Sequence, residues 1–501
     1  MKKKYVRWTL WTIASPFILF IILCILIYLP PIQNFLVDKA AVYASEATGM
    51  NISVGRISLS FPLNLVVTNV DAASPHNDTL LSVRRLQVNV QLLPLLKKQV
   101  EVDGISLQGA TVNSNDLIHG MKLNGTLGEL FISSHGVALD PETAIVNKVL
   151  LKDTDLSLCL NDTAAADTAA SDTTYWKIIL QDIDLQNVSF ALDMPLDSLS
   201  LAASLDNAIL RDGLIDLHKS AYSLQTFRIK NGRVRYDSGK PLAADSLPSG
   251  LDPSHIALTD IGVKLDSLYY GGRNMKAIIS QFVLKERSGV EIVSATGRMV
   301  SNDKVLRVPS LKLETRDSYL ELNAAMDWNA LDFKDEGLVS ARLMADIGKP
   351  DVVRFMGSMD EKFIRQYPSE PLRIRTGIDG DLNKLKLTTL TAELPGALGL
   401  FARGELTHLT DSLLRGGDIT LEAETKDLKF VSTLAEGIEI PYGTRLEGKF
   451  TMAGTKMGTD LLLMQPEAQA VVAADTIPIT VYNDSISVAD DFKMERAARL
   501  F

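Results

Sequence analysis

The chain has 501 residues, a formal net charge of −10 and only two cysteines. Its length suits about two to four ordinary domains or one elongated repetitive domain. The first 37 residues carry a charge of +4 and the remainder −14, which argues against nucleic-acid binding and against docking on anionic lipid head groups. Two cysteines are too few for a disulfide scaffold.

Residues 8–29 form an apolar segment of 22 residues without a charged side chain. A helix of that length spans roughly 33 Å, whereas a bilayer core is about 30 Å thick. The basic residues Lys2–Lys4 and Arg7 precede it, so the positive-inside rule keeps residues 1–7 in the cytoplasm and exports the rest. We predict a cytoplasmic tail, a retained transmembrane anchor and an extracytoplasmic body. A cleaved signal peptide is the alternative, although its apolar run is usually about 7–15 residues.

Two helices are predicted beyond the anchor. Residues 31–48 have apolar side chains at spacings of three and four residues, and Gly49 follows at the usual position of a left-handed cap. Residues 350–368 show the same spacing and end at Pro368. The apolar residues of the second helix are Val352, Phe355, Met356, Met359, Phe363 and Tyr367.

The ranges 50–349 and 369–464 are predicted to be β, because apolar and polar residues alternate there. A strand has one apolar face in this pattern. The residues that we predict to line the apolar face are Ile57, Leu59, Leu86, Val88, Val90, Leu92, Leu311, Leu313, Leu320 and Leu322. The alternation degrades from Gln465, so residues 465–501 are predicted to form an irregular C-terminal end.

A weak repeat consists of an apolar strand, a short turn with Asp or Asn, and another strand. It occurs at 100–112, 149–160, 178–192 and 227–237. Such repetition predicts an array of β-hairpins. An array with one apolar face must cover that face. Packed sandwiches, closed barrels and a gutter holding an apolar ligand all achieve this, and the pattern alone leaves all three open.

Several short motifs occur in a recognisable order along the chain. They are Phe61-Pro62, Asn69-Val70, Asp78–Leu81, Leu92–Leu96, the run from Val102 to Val112, and the stretches 285–292 and 308–322. In this order they resemble AsmA-like proteins, in particular the TamB branch (translocation and assembly module) of the Bacteroidota. The likeness covers roughly residues 1–460. Members of that branch are commonly longer and end in a C-terminal β-domain that is not recognisable here, so we expect a truncated gene, a fragment or a short relative.

The resemblance implies a mainly β fold, in which an elongated sheet of repeating hairpins curls into an apolar groove (a β-taco) behind an N-terminal transmembrane helix. It implies an inner-membrane-anchored periplasmic protein that conducts phospholipids between the inner and outer membranes and supports outer-membrane biogenesis. The alternative is a scaffold for outer-membrane protein assembly of the autotransporter type. That function implies an outer-membrane barrel of the Omp85 family as partner.

Sequence motifs for catalysis or metal binding are not found. The six histidines form no metal-ligand spacing, and G-x-S-x-G, P-loop and dinucleotide-binding motifs are absent from the sequence. The carboxylate pairs Asp153/Asp155 and Asp182/Asp184 are better explained by a solvated strand face than by acid–base catalysis. We therefore expect a protein that is not an enzyme, uses no cofactor or metal and binds no nucleic acid. Its expected partners are phospholipid acyl chains and the inner membrane.

Overall fold

The structure, a computed structural model, is mainly β, as predicted, and contains a large, mostly antiparallel sheet with few helices. It describes residues 39, 41–42, 45–46, 49–60, 64–74, 79–91, 102–114, 120–138, 142–161, 175–239, 250–332, 336–356, 360–433, 442–464, 471–482 and 485–488. The anchor predicted at 8–29 lies outside these residues. No helix within the described part of the chain has the length and hydrophobicity needed to cross a bilayer.

The chain divides into two compact units. Unit 1 comprises Met1–Leu224 and Ile229–Pro241, and unit 2 comprises Gln225–Arg228 and Leu242–Phe501. The strands of unit 1 are β1 (Asn51–Ser60), β2 (Asn64–Ala73), β3 (Thr79–Val90), β4 (Val102–Asn113), β5 (Met121–Ala138), β6 (Thr143–Leu160), β7 (Lys177–Met194), β8 (Leu199–Asp216), β9 (Ala221–Leu224) and most of β10 (Thr226–Ser238). From β1 to β9, each strand pairs with the next, and a 3-10 turn at Pro195–Asp197 joins β7 to β8.

Unit 2 contains strands and short helices. Its strands are β11 (His255–Gly271), β12 (Asn274–Glu286), β13 (Glu291–Ser301), β14 (Val305–Thr315), β15 (Tyr319–Asp327), β16 (Leu338–Ile347), β17 (Leu372–Asp381), β18 (Lys384–Leu394), β19 (Leu398–Thr407), β20 (Gly416–Thr425), β21 (Arg445–Ala453), β22 (Lys456–Met464), β23 (Val471–Tyr482) and β24 (Ser485–Val488). Its helices are α1 (Trp328–Leu331), α2 (Lys349–Phe355) and α3 (Glu361–Gln366), with a 3-10 turn at Val431–Thr433. Consecutive strands of this unit pair antiparallel.

Several predicted boundaries need correction. The single helix predicted over 350–368 is two helices, α2 and α3, with non-helical backbone at Asp360, whose side chain caps α3 by accepting from the backbone N–H of Lys362 at 3.0 Å. The end predicted to be irregular, 465–501, contains β23 and β24. In the helix predicted over 31–48, the described residues are helical.

One strand pair departs from the predicted array of hairpins. Strands β6 and β7 run parallel, with Leu151 opposite Leu185. A parallel pair needs a crossover connection of roughly a dozen or more residues. The low-complexity stretch between Leu160 and Lys177 provides that length.

Over their described residues the four repeats are continuous strands, so the hairpins predicted inside them are wrong. Each contains one residue in the left-handed region: Gly109 (φ 62°), Asp153 (φ 49°), Asn187 (φ 51°) and Asn231 (φ 54°). Gly, Asn and Asp adopt this conformation at the lowest cost. The turn-like composition of the repeats therefore marks an interruption within a strand.

These interruptions line up across unit 1. One set of positions that the registers skip crosses all strands from β1 to β8, and we call it the interruption line: Gly55, Asn69, Arg84, Gly109, Gly128, Asp153, Asn187 and Asp206. Along β7, apolar residues occupy odd positions in the segment directly before the line (Ile183, Leu185) and even positions after it (Val188, Phe190). Because strand side chains alternate between faces, the extra residue keeps apolar side chains on the same face on both sides of the line.

Replacing Asn187 by valine is expected to lower the free energy of unfolding by about 2 kcal/mol, because a β-branched residue is strained at positive φ. Asn187→Gly should be nearly neutral. Asn147→Val is the matched control: Asn147 also lies at a position that the register of β6 and β7 skips and donates to Gln181 at 2.9 Å, as Asn187 donates to Asp153 at 2.9 Å, but its φ is not positive. Urea denaturation measures the difference. An equal decrease in the free energy of unfolding for Asn187→Val and Asn147→Val would contradict the role of the left-handed conformation.

Candidate functional site

The apolar face of unit 1 is built from two rows of side chains that cross eight strands. Residues directly opposite each other in a ladder lie on the same face, so the registers of β1 to β8 define each row. Row 1 contains Ile57, Val67, Leu86, Leu107, Leu130, Leu151, Leu185 and Ala208. Row 2 contains Leu59, Leu65, Val88, Ile105, Ile132, Val149, Ile183 and Leu210.

The large side chains of these rows are not buried by the described chain. Ala208 is buried at 4% exposure, Ile105 is 37% exposed, and the other members of both rows are half-buried. A second layer packed against this face of the sheet would bury these side chains. The face is therefore apolar and remains accessible within the described part of unit 1.

The structure brings together four of the lining residues predicted in this unit. Ile57 and Leu86 lie in row 1, and Leu59 and Val88 lie in row 2, with β2 between the two predicted strands. Val90 continues the same face of β3 by alternation. Leu92 lies outside the described residues.

Unit 2 has an apolar face of the same kind. Leu311 lies opposite Leu322, and Leu313 lies opposite Leu320, so all four lining residues predicted in this unit are neighbours. Row 3 contains Ala295, Leu313, Leu320, Ala345, Ile374, Ala392, Leu400, Ala423 and Leu446. Row 4 contains Leu311, Leu322, Leu343, Thr376, Leu390, Ala402, Leu421 and Gly448.

Large and small residues alternate along most of row 3. The alanines Ala295, Ala345 and Ala423 are buried at 8%, 2% and 9% exposure, whereas Leu313 and Leu320 are half-buried. A methyl group between two longer side chains can be shielded by them, although Ala392, between Ile374 and Leu400, is half-buried. The accessible surface of row 3 is therefore formed mainly by leucine and isoleucine.

Two clusters of buried residues close the ends of the strands in unit 2. The first contains Phe363, Tyr367, Leu394, Ala397, Leu428 and Phe430, and the second contains Ala330, Val339 and Leu382. Leu372 packs against the first cluster, and Ile374 of row 3 is the next residue on the same face of β17. The short helices thus cover strand ends, because they are too short to cover the middle of the sheet.

The opposite face of both units carries most of the polar side chains, together with some apolar ones such as Phe131 opposite Leu150. In unit 1, Gln87 donates to Asn89 at 3.0 Å, and Arg211 forms an ion pair with Asp182. In unit 2, Lys312 lies 3.8 Å from Glu321. Rows 1 to 4 contain no ionisable side chain, and Thr376 is their one polar side chain, so contact with a ligand there depends mainly on apolar surface.

The sequence showed the same alternation at Ile374 and Thr376 of β17 and at Leu421 and Ala423 of β20, but the row members on β4 to β8 were not named as lining residues. Leu107, Leu130, Leu151 and Leu185 carry the same alternating pattern as Leu86, but the interruption line shifts the pattern by one residue within each strand. The signal that could have found them is this change from odd to even apolar positions at an Asn, Asp or Gly.

No group of three or more His, Cys, Asp or Glu side chains suited to hold a metal ion occurs among the residues that the structure describes. No model of a known protein family matches the sequence, and no characterised protein matches it either. The resemblance to AsmA-like proteins therefore stays a prediction that depends on the motifs in the sequence.

Proposed function

We propose that this chain is an inner-membrane-anchored periplasmic protein that conducts phospholipids between the inner and outer membranes and so supports outer-membrane biogenesis. The acyl chains lie on the apolar faces, and the head groups remain in water. The observation that carries the proposal is the set of continuous apolar rows whose large side chains are left half-exposed by the described chain.

The physical basis is partitioning. Each acyl CH₂ group that leaves water gains about 0.8 kcal/mol. Contacts between hydrocarbon and the leucine, isoleucine and valine side chains are non-directional and individually weak, about 0.1–0.2 kcal/mol per atom pair. A chain can therefore slide from one strand to the next without a large barrier. Rows of equivalent apolar side chains on successive strands suit such movement.

The membrane anchor and its orientation belong to the same proposal. The 22 uncharged residues at 8–29, preceded by basic residues, would hold the N-terminus in the inner membrane and the body in the periplasm. An absence of charge in rows 1 to 4 is compatible with acyl chains as ligands and gives no means of recognising one head group over another.

Photocrosslinking tests the proposal directly. A photoreactive amino acid at Val88 or Val90, in the full chain expressed in a Gram-negative envelope, is expected to yield lipid adducts detectable by mass spectrometry. The control position is Lys312, beside Leu313 on the opposite face of β14, which should yield none. Capture of protein alone at Val88 and Val90 would favour the alternative, a scaffold for outer-membrane protein assembly with an Omp85-type barrel.

A further inference from the structure

A depression of about 650 Å³ lies along the interruption line, on the polar side of unit 1. Its lining consists of Thr68, Asn69, Arg84, Arg85, Gln108, Gly128, Glu129, Lys152 and Asp153. Arg85, Gln108 and Lys152 alternate along their strands with Leu86, Leu107 and Leu151 of row 1, so the depression and the apolar rows lie on opposite faces. It is therefore separate from the surface proposed to hold acyl chains.

Two glycines of the interruption line give the depression its shape. A Cβ at Gly109 would lie 2.9 Å from Cζ of Arg84, so the guanidinium of Arg84 rests on the bare backbone of Gly109. A Cβ at Gly128 would lie 2.8 Å from Cβ of Asp153. Both contacts are closer than a real Cβ allows. The absence of two side chains thus positions Arg84 and opens the space beside it.

The cations of this depression are not neutralised by ion pairs. In the described part of unit 1, no carboxylate forms an ion pair with Arg84, Arg85 or Lys152, whereas Arg211 contacts Asp182. Among the residues that the structure describes, Arg85 donates only to the neutral amide of Gln87, at 3.3 Å.

Two acidic residues, Glu129 and Asp153, also line the depression, which leaves one net positive charge. The carboxylate of Asp153 accepts a hydrogen bond from Asn187 at 2.9 Å. The body as a whole is strongly negative, so a site with excess positive charge stands out from its surroundings. Such a site attracts an anion that fits the space between the basic groups.

We propose that Arg84, Arg85 and Lys152 bind a phosphate group in this depression. Guanidinium groups match the oxygen geometry of phosphate and form paired charge-assisted hydrogen bonds, and a lysine adds a compact positive charge. The hydroxyl of Thr68 and the amides of Asn69 and Gln108 provide further donors. The phosphate can belong to a free phosphate compound or to a lipid head group, since the chemistry is the same.

Equilibrium dialysis of the full chain in neutral detergent against inorganic phosphate, at constant ionic strength, tests the site. We expect saturable binding to one site with a dissociation constant on the order of 1 mM. The affinity is low because the basic side chains are exposed. Arg84→Gln and Lys152→Gln should each weaken it about tenfold. The matched control is Lys148→Gln, an exposed lysine on the same strand and face, roughly 13 Å away, which should leave binding unchanged.

Equal weakening by Lys148→Gln and Lys152→Gln, or no saturable binding in the wild-type protein, would overturn the proposal. Two further arms identify the source of the phosphate. Displacement of bound phosphate by mixed micelles of the same detergent and phosphatidylglycerol assigns the site to a lipid head group, whereas displacement by glycerol 3-phosphate and not by these micelles assigns it to a free compound. The dialysis contains no lipid, so its result is independent of the proposed lipid conduction.

Discussion

Replacing Val88 by arginine is expected to abolish lipid crosslinking at Val90 while leaving unit 1 folded. Val88 lies between Leu65 and Ile105 in row 2 and is half-buried. An arginine there can extend its guanidinium into water, so the expected loss of unfolding free energy is only about 1–2 kcal/mol. A charge within the path of an acyl chain costs far more, because hydrocarbon cannot solvate it.

The control variant is Gln87→Arg, which adds the same charge one residue earlier on the polar face. It should leave lipid crosslinking at Val90 intact. The Leu313→Asp variant tests unit 2 in the same way, with Ser310→Asp, opposite Arg298, as its control. Crosslinking at Leu311 provides the readout there. Unfolding of the Val88→Arg or Leu313→Asp protein, followed by circular dichroism, would mean that the apolar faces are packed against protein.

Replacing Asp351 by alanine is expected to destabilise unit 2 by about 3 kcal/mol, because it leaves buried polar groups without an acceptor. Asp351 lies in α2 and is 1% exposed. Its carboxylate accepts hydrogen bonds from Ser318 Oγ at 2.6 Å, from Arg354 at 3.0 Å and from Thr315 Oγ1. These bonds fix α2 on the turn between β14 and β15.

Arg354 connects this network to a second carboxylate. Its guanidinium donates to Asp317 at 2.8 Å as well as to Asp351. Burial alone would lower the pKa of Arg354, but the hydrogen bonds to Asp317 and Asp351 outweigh burial and raise it. Arg354 therefore stays charged at any pH at which the protein is folded. Titration of Arg354 should therefore not make the loss of unfolding free energy caused by Asp351→Ala depend on pH.

A matched control for Asp351 is Glu361→Ala in the next helix. Glu361 pairs with Arg365 at 2.8 Å, but both side chains are about 80% exposed, and exposed pairs contribute roughly 0.3–0.5 kcal/mol. Urea denaturation of both variants gives the comparison. A loss for Asp351→Ala no larger than that for Glu361→Ala would show that the buried network does not stabilise this unit.

The sequence predicted the β class and the apolar face because alternation of apolar and polar residues is a local property of a strand. Leu86 and Val88, and likewise Leu311 and Leu313, could be assigned to one face from spacing alone. The anchor at 8–29 also follows from local composition, and it remains a prediction. Helix α3 was anticipated from Phe363 and Tyr367, although the break before it was not.

The tertiary structure decided which strands lie next to each other and how their rows align. Asp153 and Asn187 have the composition of turn residues, and only the registers of β6 and β7 show that they interrupt continuous strands. The reason is that a residue that tolerates positive φ suits a hairpin and a strand interruption equally well, so local preference cannot distinguish them. Pairing with neighbouring strands distinguishes the two, and pairing depends on residues far apart in the chain.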